Sequence, residues 1–600
     1  MRRSFSVFLV LAMVVVLAPA AFAVDLELGE CGDPFTPIYD IQGDGASSPE
    51  DGNDVVTEGI VTVAHQADAN EIRGFFIQDP VGDGDPATSD GVFVSHGDAW
   101  GPNFEVAPGD HVRILGSVDE EWVSGGTRTQ IEWLDDATTC GVGTVKALKI
   151  DARNYRTDEE RLEGMYVQFQ QKLAVTDTYN LANNGEVWLG EMDVVPQPTE
   201  IFGADDPRAE ELADDNMARS IYIDDGIRFG NPHDGTFLNS DGTLRLGDEF
   251  RKLTGAVWFD YYEYRIVPNR GDVDIRIRNN RPAKAPSVGG KLVVGSANVL
   301  NYWTTLGGRG ASTPEQLAVQ EEKLVAELLG MDADILALQE IENDPANVPI
   351  TKLVTLLNAA DDSHTWTWVG EPAGGYNEYP IRNEIVYRDT VEPYDERGLM
   401  TLRDPLFDEG GTRSKGRPPI AQAFEANGEV FTVMVNHLKS KSCSNATGED
   451  QDQGDGQSCY NLRRTLQATA ILDYVDDVVD EVGDPDVLVV GDMNAYMEED
   501  PIHEFESELV NLVEKYDPKH YSYNFYAGFA APWIGRGTLD HAFANDSMSK
   551  QVTKVATWHI NADEPRFLDW YDPTVTAPGP FRASDHDPVI IGLSLHSKKS

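Results

Sequence analysis

The sequence has few cysteines, few basic residues for its length and, after its first segment, no long apolar run. Only four of the 600 residues are cysteine, and none of them forms the C-x2-C spacing of a structural zinc site. Beyond the N-terminus there is no run of about eighteen apolar residues, so the sequence predicts no membrane-spanning helix there. Lysine and arginine total 47 against 102 aspartates and glutamates, a formal net charge of −55. This excess argues against a general polyanion-binding protein and favours a saline medium that screens self-repulsion.

The one long apolar segment lies at the N-terminus. Arg2 and Arg3 precede an apolar core, and the tripeptide AFA at residues 21–23 has the small-x-small pattern of a cleavage site. These features predict a secretory signal peptide over residues 1–23 and an extracellular or periplasmic protein without stable membrane association. The general secretory route and the twin-arginine route both remain open.

The four cysteines are an even number in a chain predicted to be exported, which indicates two disulfides. Cys443 and Cys459 bracket a short polar loop, so a local bond between them is favoured. Cys31 and Cys140 would then form the second pair, although three pairings are formally possible.

Turn signals and composition divide the rest of the chain into regions. Residues 24–146 contain short β-rich runs separated by Gly, Asp and Pro, as in a small barrel. Residues 147–280 form a second β-rich region without an evident catalytic constellation. Residues 281–290 shift to Pro, Ala, Ser and Gly, which is typical of a linker. Residues 291–600 mix strands and helices, which predicts an α/β sandwich preceded by two small all-β modules.

The first region contains the segments TEGIVTV, RGFFIQD, GVFVSH and PGDHVRILGSV, which resemble the OB-fold-like modules placed ahead of secreted bacterial nucleases. In such a module the rings of Phe75, Phe76 and Phe93 either stack on nucleic-acid bases or fill the core. Strands normally bury alternating aromatic residues, so burial is the favoured interpretation.

Six groups of polar side chains lie at the ends of predicted strands or in later motifs of the third region. They are Asn298, Glu340, Asn436-His437, Asp492 with Asn494, Asp540-His541 and Asp585-His586. A single group of this kind is more often a turn or a solvated face. Their recurrence indicates one shared site.

The residue types in these groups suit the hydrolysis of a phosphoester. Mg²⁺ or Mn²⁺ needs oxygen ligands. Two or three of four side chains can supply them: Asn298, Glu340, Asp492 and Asp585. Two histidines can move protons at the attacking water and at the departing oxygen. The amides of Asn494 and Asn436 can donate hydrogen bonds to a phosphate that gains charge in the transition state.

The ordered segments SANVLNYW, LQEIEN, NHLKSK, GDMNAY, TLDHAF and ASDHDPV resemble the motifs of the endonuclease/exonuclease/phosphatase superfamily, which has the DNase I-like four-layer α/β sandwich. Together with the region ahead of them, the disulfide loop, YSYNF and WHINADE, they make the chain similar to secreted ExeM/NucH-type bacterial endonucleases. The resemblance implies a metal-dependent endonuclease, either DNA-preferring or acting on both DNA and RNA, whose cleavage leaves a 5′-phosphate.

The same resemblance implies roles for the motif residues. Glu340 would be the main metal ligand, with help from Asn298 and Asp585. Asp492 would orient or deprotonate the attacking water, and Asn494 would contact the phosphate.

Two histidines receive the remaining roles from the resemblance. His586, oriented by Asp540, would be the water-side base or a phosphate contact, and His437 would serve the leaving group. Whether Asp492 or His586 takes the proton stays open. So does the group that orients His437, for which the segment RNEIVYR offers Asn383, Glu384 and Tyr387.

Basic residues cluster near these motifs despite the acidity of the chain. The two clusters contain Arg413, Lys415 and Arg417, and Lys439, Lys441, Arg463 and Arg464. Such clustering is typical of a track for the phosphate backbone. Substrate contacts are predicted for four residues: Arg417, Lys439, Asn436 and Tyr387.

Other functions remain open for this sequence. One is a secreted phosphatase or phosphodiesterase of the same fold that acts on lipid or inositol head groups, and another is an inert polymer-binding matrix protein. Asp450, Asp452 and Asp455 weakly indicate a structural Ca²⁺, but Asn461 stands where an EF-hand has its glutamate. A monomer is expected.

Overall fold

The computed structural model describes residues 26–66, 71–95, 104–191, 193–227, 237–394, 398–408, 416–525 and 535–596, with the side chains of 133–135 left aside. The predicted signal peptide and two predicted phosphate contacts, Arg413 and Lys415, lie outside these ranges. No helix in this part of the chain is both long enough and apolar enough to cross a bilayer. We name three domains: the barrel domain (26–142), the middle domain (148–276) and the C-terminal domain (292–593).

The barrel domain is a closed β-barrel whose strands follow the order β1-β2-β3-β5-β4. Its elements are α1 (Ile38–Gln42), β1 (Asp54–His65), β2 (Gly74–Gln78), β3 (Gly91–Ser95), β4 (Asp110–Val123) and β5 (Gly126–Val142). Phe75 and Phe76 are fully buried and Phe93 is 3% exposed, which confirms the core interpretation for these rings. Because side chains alternate along β2, Phe75 fills the barrel and Phe76 faces the middle domain.

The middle domain is a nine-stranded sheet in the order β14-β11-β8-β9-β10-β13-β12-β7-β6. Its strands are β6 (Leu148–Ile150), β7 (Tyr166–Phe169), β8 (Leu173–Asp177), β9 (Glu186–Glu191), β10 (Ser220–Asp224), β11 (Glu249–Arg251), β12 (Thr254–Asp260), β13 (Glu263–Val267) and β14 (Asp274–Arg276). It also contains α2 (Ala152–Thr157), α3 (Leu181–Asn184) and α4 (Pro207–Ala218). The all-β expectation is wrong for this region, because Asp206 caps α4 at an Asp-Pro start and Ala209 and Ala213 bury one face of the helix.

Small and aromatic residues join the barrel domain to the middle domain. The rings of Phe93 and Trp258 lie 5.9 Å apart in an apolar cluster shared by both domains. A Cβ on Gly91 would lie 2.3 Å from the carbonyl oxygen of Gly164, so this approach of two backbones requires glycine. The junction is therefore closely packed.

Glu163 is a buried carboxyl at the same junction. Its Oε1 accepts a hydrogen bond from the backbone N of Thr129 in β5 at 2.7 Å. Burial, with the charge of Glu160 as a smaller cause, raises the pKa of Glu163 to about 8. The folded protein therefore holds a proton here that the unfolded chain releases at lower pH.

We expect Glu163→Gln to make stability less dependent on pH. Because the pKa of Glu163 is higher in the folded protein than in the unfolded chain, its protonated carboxyl stabilises the fold. This stabilisation is fully present below about pH 4.5 and is lost as the pH rises through about 8. The variant should therefore gain about 2–4 kcal/mol over the wild type between pH 5 and pH 8. Urea unfolding at both pH values measures this gain. Glu211→Gln on the exposed face of α4 is the control, and a difference that does not change with pH would contradict the assignment.

The C-terminal domain contains two large sheets. The first has the order β17-β18-β16-β15-β29-β28, and the second has the order β19-β21-β22-β23-β27-β24, with β20 beside β21. The strands of the first are β15 (Leu292–Tyr302), β16 (Ile335–Glu342), β17 (Trp366–Trp368), β18 (Ile381–Arg388), β28 (Val552–Thr557) and β29 (Val589–Leu593). Those of the second are β19 (Glu392–Pro393), β20 (Met400–Thr401), β21 (Arg417–Ala426), β22 (Glu429–His437), β23 (Val487–Asp492), β24 (Val510–Asn511) and β27 (Asp540–Ala544). A small hairpin contains β25 (Tyr523–Phe525) and β26 (Gly535–Gly537).

The two sheets pack face to face between layers of helices. The inner core contains Val294 and Ile335 from the first sheet and Val433 and Val490 from the second. Apolar faces of α5 and α6 cover the first sheet, and those of α8 and α9 cover the second. The helices are α5 (Pro314–Gly330), α6 (Val348–Ala360), α7 (Pro405–Asp408), α8 (Asn461–Val482), α9 (Asp500–Glu506), α10 (Leu512–Tyr516) and α11 (Asp546–Ser549). The layer order is helix, sheet, sheet, helix, as the four-layer prediction requires.

The segment predicted to be a linker is tied to both of its neighbours. Arg281 donates two hydrogen bonds of 2.8 Å to Glu564 of the C-terminal domain. Arg245 of the middle domain pairs with the same carboxylate and lies 3.3 Å from Asp563. The apolar core of the middle domain also includes residues of the C-terminal domain: Phe567, Leu568 and Ala577. The two domains are thus joined by a common core and a buried ionic network.

Candidate active site

Strand direction brings the predicted polar groups to one edge of the two sheets. β15 runs parallel to β16, and β22 runs parallel to β23, so their carboxyl ends meet at one edge. β27 runs antiparallel to β23 and begins at Asp540, directly opposite Asp492. His586 precedes β29, which is antiparallel to β15. The sequence-based expectation of a shared edge is confirmed for these residues.

Asp492 is the centre of the cluster. Its Oδ2 accepts a hydrogen bond from the side-chain amide of Asn298 at 3.1 Å and lies 3.2 Å from Nε2 of His437. Its Oδ1 accepts from the backbone N of Asn494 at 2.8 Å. Burial alone raises the pKa of Asp492, but the charges of His586 and His437 outweigh it and lower the pKa overall. Asp492 is therefore an ionised carboxylate in a buried site.

Backbone conformation fixes the direction of this carboxylate. Gly491 has a φ of 140°, and a Cβ there would lie 1.9 Å from the carbonyl oxygen of Asn436. Only glycine allows β23 to approach β22 so closely at this point. Asn494 adopts a left-handed φ of 49°, which asparagine tolerates better than most residues. The Gly-Asp-Met-Asn segment is thus both a turn and part of the site.

His586 is held between two carboxylates. Its Nδ1 lies 2.7 Å from Oδ2 of Asp540, and its Nε2 lies 4.0 Å from Oδ2 of Asp492. Burial opposes protonation, but the two carboxylates prevail and hold the pKa of His586 well above its usual range. Burial also raises the pKa of Asp540, an effect that His586 opposes.

His437 has the opposite electrostatic environment. Burial, followed by the charge of Arg417, lowers the pKa of His437 to about 3. Its Nε2 points between Asp492 and Glu340, the latter at 3.9 Å. Its Nδ1 has no hydrogen-bond partner within the described ranges. Glu384, a candidate for orienting this ring, instead pairs with Arg382 at 2.6 Å.

Glu340 lies at an irregularity in β16. Register shifts interrupt β15 after Asn298 and β16 after Leu338, and Glu340 adopts a φ of 69°. Such irregularities redirect side chains near functional sites. The backbone N of Asn301 donates to Oε2 of Glu340 at 2.9 Å. Burial, followed by the negative charge of Asp585, raises the pKa of Glu340.

The donor chemistry at Glu340 fits a hard divalent cation. Two carboxylates, Glu340 and Asp585, are close enough for the charge of Asp585 to raise the pKa of Glu340. The side-chain amide of Asn298 donates to Asp492, and its oxygen accepts from the backbone N of Leu300 at 3.1 Å. A cation would relieve the repulsion between the two carboxylates. Asp492, Asp540 and His586 form a tighter group, with potential ligand atoms within 4.8 Å of one another. In that group, however, the imidazole of His586 already lies between the two carboxylates.

Two predicted substrate contacts lie away from this edge. Asn436 is fully buried, and its amide donates to the carbonyl of Val490 at 3.3 Å. It neighbours His437 on the strand and therefore points to the opposite face. Tyr387 pairs with Ile335 at the start of β16, the end of the strand remote from Glu340, and its ring packs on Phe424. Neither side chain is therefore brought to the edge that holds Glu340 and Asp492.

The other two predicted contacts lie near the site. Arg417 pairs with His437 across the sheet, and its guanidinium donates to the carbonyl of Leu438 at 2.7 Å. The ammonium of Lys439 lies 4.1 Å from the centre of the Tyr460 ring, and burial, then the charge of Arg417, lowers the pKa of Lys439 to about 8.

Three other members of the predicted basic track have structural partners. Lys441 is buried against Glu499 at 2.6 Å, and Arg463 lies 2.7 Å from Asp450. Arg464 is fully buried and donates to the carbonyl of Cys459 at 2.8 Å. Fewer basic residues therefore remain as candidates for contacting a phosphate backbone than the sequence indicated.

Both predicted disulfides are present, as Cys31–Cys140 and Cys443–Cys459. The first ties the segment before β1 to β5, and the second closes the loop ahead of α8. The aspartates of that loop do not converge on one point. Asp450 pairs with Arg463, while Asp452 and Asp455 accept hydrogen bonds from backbone N–H groups two residues later. The Ca²⁺ prediction has no support from this arrangement.

Sequence patterns did not assign roles to several residues of the site. The ring of Tyr523 lies 4.7 Å from that of His586, and Ser522 accepts a hydrogen bond from the backbone N of Asp540 at 3.0 Å. Arg309 is close enough to Glu340 to lower the carboxyl pKa against the effect of burial. Ser522 and Tyr523 belong to the segment YSYNF, which was noted in the sequence. Arg309 lies in a Gly-rich loop whose local sequence gives no indication of a function.

The model of the Endonuclease/Exonuclease/phosphatase family matches residues 295–586. This part of the chain is therefore a domain of that superfamily of hydrolases, which includes nucleases and phosphatases. A search of curated proteins finds no match.

Solved structures similar to about half of this chain share little sequence with it. One is TDP2 of D. rerio complexed with single-strand DNA product, at 16% identity and a TM-score of 0.32, over 50% of this chain and 97% of that chain. Another is the mannosyl-6-phosphatase Bt3783 of Bacteroides thetaiotaomicron, at 17% identity and a TM-score of 0.33, over 51% of this chain and 100% of that chain. A third is a conserved protein of unknown function from Enterococcus faecalis, at 16% identity and a TM-score of 0.33, over 50% and 99%.

Proposed function

We propose that the protein is a secreted, divalent-metal-dependent endonuclease that hydrolyses phosphodiester bonds of extracellular DNA, and RNA as a second substrate. The observation that carries the proposal is the shared carboxylate of Asp492, which is contacted by Asn298 and His437 and faced by His586. One carboxylate between two histidines supplies the groups that water attack on a phosphodiester requires.

Each residue has a role that follows from its position. Asp492 aims the attacking water and receives its proton. His586, fixed at Nδ1 by Asp540, directs Nε2 to the same space and contacts the phosphate. His437 lies on the other side of Asp492 and serves the departing oxygen. The side-chain amide of Asn494 donates to the carbonyl of Leu438 at 3.2 Å and would use its second N–H for a phosphate oxygen.

Glu340, with Asp585 and Asn298, would hold Mg²⁺ or Mn²⁺. The cation supplies Lewis-acid stabilisation of the charge that develops on the phosphate. Arg417 and Lys439 add positive charge on the same side as His437, where the sugar-phosphate chain would pass.

We expect chelation to abolish activity reversibly. Incubation with EDTA should reduce plasmid nicking by at least about 10³-fold, because the paired carboxylates would then repel the substrate phosphate as well as one another. Addition of Mg²⁺ or Mn²⁺ in excess should restore the rate. Activity that persists after exhaustive chelation would contradict the role of Glu340 and Asp585.

The substrate class is tested by parallel assays with supercoiled plasmid, RNA and sphingomyelin vesicles, each with Mg²⁺ or EDTA. We expect nicking of plasmid and no release of phosphocholine. Lipid hydrolysis without nicking would favour the head-group phosphodiesterase, and inactivity towards all three substrates would favour the matrix protein.

We also propose that the barrel domain is OB-like and that the protein belongs to the ExeM/NucH type. The strand order of the closed barrel and the position of this domain ahead of the C-terminal domain support both assignments. The two disulfides are consistent with an oxidising, extracellular location.

A further inference from the structure

A cavity of about 330 Å³ opens beside the Asp492 cluster, between the C-terminal domain and the middle domain. At its inner end it is lined by Asp585 and by Tyr523, whose ring contacts that of His586. At its outer end it is lined by Tyr179 of the middle domain and by Arg566 and Tyr571 of the C-terminal domain. One continuous space thus connects the candidate catalytic residues with a domain outside the family match.

The outer end of the cavity is a stack of aromatic and guanidinium groups. The guanidinium of Arg566 lies 5.4 Å from the ring centre of Tyr179 and 5.5 Å from that of Tyr571. It also donates to the hydroxyl of Tyr179 at 3.2 Å. The tyrosines remain 38% and 49% exposed, so their rings are accessible. Planar groups of this kind bind unpaired bases by stacking.

Two buried aspartates hold these tyrosines in place. Asp177 accepts a hydrogen bond from the backbone N of Tyr179 at 2.9 Å, and Asp569 accepts one from the backbone N of Tyr571 at 2.6 Å. The side-chain amide of Asn524 donates to Asp177 at 3.1 Å. The same aspartate-to-backbone turn therefore fixes the backbone at one tyrosine of each domain before a ligand binds.

Arginines and carboxyl groups both line the cavity. The lining includes Arg309, Arg566 and Arg582 together with Asp177, Glu564, Asp569 and Asp585. Burial raises the pKa of Asp177 to about 7 and that of Asp569 to about 6, so these two carboxyl groups carry less negative charge than usual near neutral pH. Arg309 lies towards Glu340, and Arg566 lies at the outer end. In a bound nucleotide, Arg309 would pair with a phosphate, and Arg566 would offer its planar guanidinium to the base.

We infer that this cavity is a subsite for the nucleotide next to the scissile phosphate, with its base stacked against Tyr179, Arg566 and Tyr571. The inference rests on the proposed function and extends it, because the middle domain then supplies part of the substrate site. The volume is at the lower end of the range for small-ligand sites, which suits one unpaired nucleotide.

The test compares a nucleic-acid substrate with an abasic one. For the wild type, Tyr179→Ala and Arg566→Ala, kcat/KM is measured with Mg²⁺ on a single-stranded DNA oligonucleotide and on an abasic sugar-phosphate oligomer of the same length, which has no base to stack. We expect the ratio of the two values to fall about tenfold or more in each variant, mainly through KM for the oligonucleotide. Tyr179→Phe should keep most of the ratio because it keeps the ring.

Tyr261→Ala is the matched control, since Tyr261 is a 58% exposed tyrosine elsewhere on the middle domain. It should leave the ratio unchanged. A second measurement is fluorescence anisotropy of the labelled oligonucleotide in EDTA, where Tyr179→Ala should weaken binding by a similar factor. An unchanged ratio and unchanged binding would overturn the subsite, as would an equal loss on both substrates. Failure of the wild type to cleave either substrate would instead overturn the proposed function.

Discussion

We expect Asp492→Asn to lower plasmid nicking by at least about 10³-fold. Asparagine has nearly the same shape, but it removes the negative charge that His437 and His586 both face. The attacking water then loses its proton acceptor, and His586 loses one of the carboxylates that raise its pKa. The initial rate of nicking under saturating Mg²⁺, with far-UV circular dichroism to verify folding, measures this effect.

Asp473→Asn provides the matched control for this substitution, because Asp473 is an exposed aspartate on α8 of the same domain. Its rate should stay within about twofold of the wild type, since an exposed side chain remote from the cluster contributes little. If Asp492→Asn folds normally and retains more than about a tenth of the wild-type rate, Asp492 is not the centre of the chemistry.

The second large effect is expected at the contact between the middle domain and the C-terminal domain. Arg245→Met should lower the free energy of unfolding by about 3–5 kcal/mol, because it leaves buried carboxylates with fewer partners. Arg245 is 1% exposed, and its guanidinium contacts Glu564 and Asp563, both of which are fully enclosed. It also donates to the carbonyl of His559 at 2.9 Å. Urea denaturation at pH 7 measures the loss.

Arg251→Met in the same domain tests whether any arginine would have this effect. Its side chain is 43% exposed and lies near Glu249 and Asp274 at the surface, so we expect a loss below about 1 kcal/mol. Combining Arg245→Met with Glu564→Gln should recover part of the stability, because one unpaired charge is then removed. A loss equal to that of Arg251→Met would show that the buried network contributes little.

Much of the C-terminal domain could be predicted from the sequence because its signals are local. Glu340, His437 and Asp492 each lie at the end of an apolar run, and parallel strands place such ends at one edge of a sheet. The Cys443–Cys459 disulfide could also be predicted, because the two cysteines are close in sequence. The sequence could not indicate the pKa directions, since burial and charge around His437 and His586 depend on residues distant in the chain.

Two predicted substrate contacts, Asn436 and Tyr387, lie away from the site for simple geometric reasons. Adjacent residues of a strand point to opposite faces, so Asn436 and His437 cannot both enter the cleft. β18 is antiparallel to β16, so a residue late in β18, such as Tyr387, lies at the far end of the sheet. The position of Asn436 follows from side-chain alternation alone, whereas that of Tyr387 required the strand direction.

The core shared by the middle and C-terminal domains determines how the chain can be divided. Phe567, Leu568 and Ala577 complete the interior of a sheet formed by residues that precede 280 in sequence. A fragment that begins at residue 291 would leave these side chains in water and the carboxylate of Glu564 without Arg245 and Arg281. The region recognised by the family model is thus smaller than the cooperative unit, and the two domains should melt together in a single thermal transition.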